Sequence, residues 1–147
     1  MTALQAAASV SAAAWTALAG TNDPFIRHAF FATLEAQGAA APTLGWQACH
    51  LALGDPVAPS GLLPLYARNN AFGDFVRDWS WADAIQRAGL AYYPKLVSGV
   101  PYTPVRGRRL WAADQAGREA LVDAALRFAE AVGASSWHVA FPVEAEA

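Results

Sequence analysis

The chain has 147 residues, 55% of them hydrophobic and 15% charged, with a net charge of −2. That length suits one domain able to bury most of its apolar surface without staples, and the lone Cys49 excludes an intramolecular disulfide and fits a reducing compartment. The charge offers no global attraction to DNA or anionic membrane, no run reaches the roughly 18 apolar residues of a membrane span, and the N-terminal segment lacks the basic start of a signal peptide, so a cytoplasmic domain is expected.

Residues 2–9 are alanine-rich, which favours helix, but too short to decide. Ser11 caps a helix that Gly20 ends. Asn22 or Asp23, with Pro24 in the first turn, opens a second helix that runs to Gly38 and buries Ile26, Phe30 and Leu34 at helical spacing. After a loop over 38–45, WQACHLAL (46–53) and LLPLYAR (62–68) read as strands joined by a turn. Pro64, with no N–H, marks an edge or a bulge.

FGDFVRDW alternates and reads as extended, with Asp74, Val76 and Asp78 on one face and Phe75, Arg77 and Trp79 on the other. Ser80 with Asp83 three residues on reads as a capping box for a short helix ended by Gly89. PKLVSGVPY (94–102) is a strand and TPVRGRR a loop. Residues 114–133 form an amphipathic helix with Leu121, Ala125, Phe128 and Val132 on one face. SSWHVAFPV is a further strand with Trp137, Val139, Phe141 and Val143 aligned. A crossover of that length implies a parallel, right-handed βαβ unit. The expected class is α/β (α+β), a mixed sheet with helices on both faces.

Cys49 and His50 resemble a nucleophile and its base, but neighbours on a strand point to opposite faces. His28 is expected at the surface of its helix. His138 lies on the strand face opposite Trp137 and Val139 and is a candidate ligand or base. No histidine has a cysteine or carboxylate at metal-ligand spacing, so no metal site is expected. Nucleophile-elbow, Walker and dinucleotide motifs are absent. The loop TPVRGRRL leaves a strand and precedes a helix N-terminus, where Arg106, Gly107 and Arg108 suit an anion. A solvated basic turn, its arginines paired with carboxylates such as Asp114, explains it equally well. Asp78, Trp79 and Trp81, with Tyr92, Tyr93 and Lys95 nearby, form an aromatic cluster with polar tips, the composition of a site that holds an apolar group and orients it.

The runs FGDFVRDWSWADA, GLAYYPKL and VPYTPVRGRRL, in that order and with NDPFIRHAFFATLEAQG and GWQACHLAL before them, resemble the FemAB-like N-acyltransferase family of bacteria, labelled peptidoglycan biosynthesis/recognition. The similarity runs from about Ser11 to the end. It implies an acetyltransferase-like (GNAT) fold whose first strand lies in residues 2–9. It also implies that 1–147 is the N-terminal one of two such domains, with a sheet incomplete at its C-terminal edge that a second domain or a second copy completes. The implied chemistry is transfer of an acyl or aminoacyl group to an amine on a small-molecule or peptide-like substrate, in a groove lined by Asp78, Trp79, Trp81, Tyr93, Lys95, Tyr102 and Arg106. Backbone amides near 97–103 would stabilise the oxyanion. The glycine-rich loop of acetyl-CoA users is absent from TPVRGRRL, so acyl-CoA stands as one donor with no motif behind it. A non-catalytic recognition or assembly domain, using the same aromatic wall, is the alternative.

Overall fold

At the centre of the computed structural model, which describes residues 1–72 and 78–146, is one long hairpin whose two arms are each interrupted once. The first arm is β2 (Trp46–Ala48) and β3 (His50–Gly54); the second is β4 (Pro59–Leu63) and β5 (Tyr66–Arg68). The interruptions fall at Cys49 and at Pro64–Leu65, where proline has no N–H to give the ladder. Pairing nevertheless does not slip. Leu51 faces Leu63, Ala48 faces Tyr66, and between them the Cys49 N–H donates to the Leu65 carbonyl at 2.9 Å.

With the register intact, side chains alternate in phase through both halves. Trp46, Ala52, Leu62 and Tyr66 pack on one face, with Trp15 of α1 (Ala12–Ala19) and Phe31 of α2 (His28–Ala36). Cys49, Leu51, Leu63 and Leu65 pack on the other, with Leu121, Ala124 and Ala125 of α4 (Gln115–Ala131). Helices therefore cover both faces, as expected. Trp15 is fully buried, its indole N–H donating to the Ile26 carbonyl at 2.8 Å and its ring 5.1 Å from that of Trp111. A large aromatic whose polar tip is satisfied contributes its full apolar area to the core.

The two halves of the hairpin recruit different neighbours. β1 (Thr2–Leu4) and β7 (Trp111–Ala112) flank the upper half in the order β1-β3-β4-β7, all antiparallel. β6 (Lys95–Ser98) and β8 (Trp137–Val139) extend the lower half in the order β2-β5-β6-β8, and β6 and β8 are parallel, joined by α4. Leu62 and Tyr66, four residues apart, face Trp111 and Val97, which lie fourteen apart. Ten additional residues thus leave the sheet between β6 and β7 as an excursion.

Arg109 closes that excursion. Only 2% exposed, it donates from Nη2 to the Val105 carbonyl at 2.6 Å and from Nε to the Ala140 carbonyl at 3.0 Å. Burial lowers the pKa of its guanidinium, against the opposing pull of Glu146 and Asp23.

Several elements differ from the sequence expectation. Residues 2–9 divide into a three-residue strand and a 3-10 turn at Ala7–Ser9, the implied strand holding for the first part only. Asp23 caps a separate 3-10 turn, Pro24–Ile26, and α2 starts only at His28; its buried residue is Phe31, with Phe30 and Leu34 half-buried. α3 (Trp79–Arg87) forms, but Asp83 pairs with Arg87 one turn on, and no side chain caps the helix. The strand expected over 94–102 stops at Ser98. The last strand stops at Val139, because Phe141 takes φ +52° and drops out of the alternation to become exposed. Val132, expected on the apolar face of the last helix, is exposed just past the end of α4. Most of the extended reading of FGDFVRDW falls on 73–77, outside the described residues. No described helix is long and apolar enough to cross a membrane.

Candidate functional site

On the sheet face that carries Tyr66 and Trp46, the lower half presents a row of polar side chains. Direct cross-strand partners share a face. Trp46 pairs with Arg68 and Arg68 with Lys95, while Tyr66 pairs with Val97 and Val97 with His138. The Arg68 guanidinium stacks 3.6 Å above the Trp46 ring and donates to the carbonyls of Gly45 and Phe72. Lys95, the only lysine in the chain, is fully buried. Its ammonium donates to Asp78 Oδ2, and the Tyr92 hydroxyl donates to the same oxygen at 2.5 Å.

Asp78 sits immediately before α3, where the chain returns to the sheet, and its side chain is 3% exposed. Burial raises its pKa, but the hydrogen bonds from Lys95 and Tyr92 and the Lys95 charge outweigh that and hold it below the usual aspartate range. It is therefore ionised at neutral pH, and Lys95 balances its charge. The other oxygen, Oδ1, is buried and accepts no hydrogen bond among the described residues. A carboxylate oxygen without a donor is costly in a dry site.

Beside Asp78 lies a cavity of about 340 Å³, walled by Trp81 and Ile85 of α3, Tyr92, and Ser135, Ser136 and His138 at the start of β8. The Ser136 hydroxyl and His138 Nε2 are hydrogen-bonded at 2.8 Å. Ser135 donates its hydroxyl to the Tyr92 carbonyl, tying the two sides together. The walls are aromatic and aliphatic, and polar groups converge from one side, the usual make-up of a small-molecule pocket. Trp81 is 70% exposed and forms the rim, while Trp79, 61% exposed, points to solvent without lining the cavity. The aromatic wall is thus accessible, and the carboxylate beneath it is not.

The structure gathers part of the predicted groove. Asp78 and Trp81 line the cavity, Lys95 lies behind Asp78, and the Tyr93 ring stands edge-on to Tyr92 at 5.0 Å. Tyr102 sits elsewhere, its ring 5.3 Å from Trp46 and its hydroxyl donating to the Ala39 carbonyl. Of the expected anion residues, Arg106 is exposed, the buried Gly107 donates its N–H to the Phe141 carbonyl, and Arg108 donates to the Ala112 carbonyl at 3.4 Å. Arg108 lines a separate cavity of about 470 Å³ with Arg118 and Glu146. The Glu146 carboxylate accepts the Arg109 and Leu110 N–H groups, and Asp114 caps α4.

A model of the FemAB-like family, described as peptidoglycan biosynthesis/recognition, matches residues 6–147. The chain belongs to the FemAB-like family. No curated protein and no solved structure matches it. The matched range includes every residue that lines the Asp78 cavity of this FemAB-like chain.

Sequence reasoning missed two groups of residues. Tyr92 stood in the aromatic cluster but was passed over for Tyr93, and His138 was weighed as a ligand or base but kept out of the groove, because the register that sets it beside the α3 cavity is invisible before folding. The second group is Glu35, His50 and Tyr66, whose side chains meet in the core of the FemAB-like unit. Cys49 lies on the opposite face from His50, as expected, and burial pushes its thiol up to about 12, so it is no nucleophile. His28 is half-buried rather than at the surface, its Nε2–H donating to the Ala7 carbonyl at 3.1 Å.

Proposed function

We propose that this FemAB-like chain seats the peptide or sugar part of a cell-wall precursor in the Asp78 cavity and transfers an acyl or aminoacyl group to an amine of that ligand. The observation that carries the reading is the hydrogen-bonded Ser136–His138 pair on the wall of a cavity rimmed by the exposed Trp81. The Ser136 and His138 side chains on the wall suit a neutral hydrogen-bonding partner: a peptide N–H or a sugar hydroxyl. Trp81 and Tyr92 offer faces for the apolar side of such a ligand.

In the transfer itself, the amine nitrogen attacks the donor's carbonyl carbon, the C–N bond forms, and the bond to the leaving group breaks. His138, with Ser136 at Nε2, is the candidate to take the amine's proton. Backbone amides where β6 gives way to the excursion are the candidates to hold the oxyanion. A recognition domain without catalysis is the second reading, favoured by the Asp78–Lys95 pair: among the described lining residues the one carboxylate is already paired. Assembly belongs to the same proposal: β8 ends its sheet, and a second copy or a further domain would pair with that edge.

The test is thermal unfolding with a UDP-linked peptidoglycan precursor, followed by mass spectrometry of the product when acyl-CoA or aminoacyl-tRNA is added. A ligand at 100 times its Kd adds about 2.7 kcal/mol, and Trp81→Ala, altering an exposed rim residue, should remove that gain without changing the free protein. A mass increase of one acyl group establishes transfer, and stabilisation without it favours recognition. No stabilisation by any precursor overturns both.

A further inference from the structure

The charges around Glu35 do not balance. Its side chain is 9% exposed. Oε1 accepts from His50 Nε2–H at 2.8 Å and from the Tyr66 hydroxyl at 2.7 Å, and Oε2 accepts from the Ala7 N–H at 2.6 Å. His50 looks like a counter-ion but is not one. Its Nδ1 accepts the Leu65 N–H at 3.1 Å, so that nitrogen bears no proton and the ring is the neutral tautomer with its hydrogen on Nε2. Burial raises the Glu35 pKa, the neighbouring His50 and the bonds from Tyr66 and the Ala7 N–H lower it, and the group is held below the usual glutamate range. Among the described residues no lysine or arginine pairs with it. A full negative charge, nine-tenths buried, is left with neutral partners alone, whereas buried charges are ordinarily paired.

Glu35 is also the one charged residue on the wall of a cavity of about 340 Å³. The remaining wall is mostly alanine, including Ala8, Ala32, Ala36 and Ala48, together with Gln5, Pro42 and Gln47. This cavity shares no lining residue with the one beside Asp78. We propose that it binds a small organic ammonium: a primary amine on a short aliphatic body, its N–H donating to Glu35 Oε2 and its alkyl part lying against the alanines.

The chemistry narrows the ligand. Oε1 already accepts two hydrogen bonds, so a guanidinium, which pairs best with both oxygens of a carboxylate, finds only one open. An ammonium, a compact point charge, needs a single acceptor at that point. A hydrated metal ion needs several oxygen ligands, which alanine does not supply, and the described residues hold no cluster of metal-ligating side chains. The inference rests on charge and space at Glu35 and is independent of the reading of the Asp78 cavity.

Titration of the chain with n-butylamine, n-butanol, butyrate and guanidinium, followed by amide NMR, tests it. The Ala7 N–H reports directly, since it donates to the oxygen the ammonium would share. Saturable shifts at Ala7 with butylamine, at least tenfold weaker with the other three, are expected. Glu35→Gln should abolish them, but its NH2 can oppose the Ala7 N–H and disturb folding. Ala36→Leu therefore serves as the second variant: an exposed helical position on the wall that fills space and leaves the Glu35 hydrogen bonds intact. It should weaken butylamine at least tenfold. Equal response to butanol, no saturable response to butylamine, or undiminished binding by Ala36→Leu would each overturn the proposal.

Discussion

Replacing Lys95 with methionine keeps the side chain's length and apolar stem and removes only the ammonium. Asp78 then keeps its bond from Tyr92 and loses the charge that offsets its burial at 3% exposure. Removing one member of a buried pair costs about 3–5 kcal/mol, because the remaining charge stays uncompensated. A 147-residue chain unfolds with an entropy of about 2.1 cal/mol/K per residue, so each kcal/mol lowers Tm by about 3 °C and the expected fall is about 10–16 °C. The triple variant Asp78→Leu, Tyr92→Phe, Lys95→Met removes the three polar groups that meet at Asp78 Oδ2 among the described residues. Asp78 makes no side-chain cap to α3, so leucine there sacrifices none. The triple should recover to within about 1 kcal/mol of the parent. Differential scanning calorimetry of the three proteins reads the result directly. A Lys95→Met protein that loses less than about 3 °C, or a triple as unstable as the single, would refute the view that an uncompensated carboxylate is the cost.

Acid should destabilise the fold through Glu35 and Asp78 together. Both are held below their ordinary values, so the stability they supply is complete above those values and is lost as pH falls from the ordinary glutamate value of 4.5 downward through the lower folded values. Urea midpoints flat from pH 7 to 5 and falling steeply below 4.5 are expected; midpoints unchanged down to pH 3 would contradict the assigned directions. Arg109→Lys should loosen the excursion, since an ammonium cannot reach the Val105 and Ala140 carbonyls with the guanidinium's fixed fork. Faster amide exchange over 99–110, by tenfold or more, with β2–β5 unaffected would bear this out, and unchanged exchange would count against it.

What sequence could reveal followed from local periodicity. Alternation and punctuation placed the hairpin arms, α1, α4 and the parallel β6–α4–β8 connection, and proline chemistry marked the interruption at Pro64. Failures came where a distant contact decides. Phe141 satisfies the alternating pattern, yet the chain turns there so that the carbonyls of Ala140 and Phe141 can meet Arg109. Asp83 has the spacing of a cap but pairs with Arg87. At the candidate site, Asp78, Trp81 and Lys95 were legible because they crowd a short run of aromatic and charged residues. His138 and Glu35 were not: each owes its position to strand register or to a helix laid across a sheet, and neither has a local signature.

The unslipped register through Cys49 and Leu65 sets which kinds of sequence change this architecture can absorb. One residue inserted into either arm would turn every side chain beyond it to the opposite face. His50 would exchange places with Cys49 and enter the α4 side, and the neutral donor that Glu35 depends on would vanish from its reach. Extra residues at the turn 55–58 or in the excursion at 99–110, by contrast, leave the phase of the arms untouched. The arms work as a ruler, and the loops carry whatever freedom the lineage has to change shape.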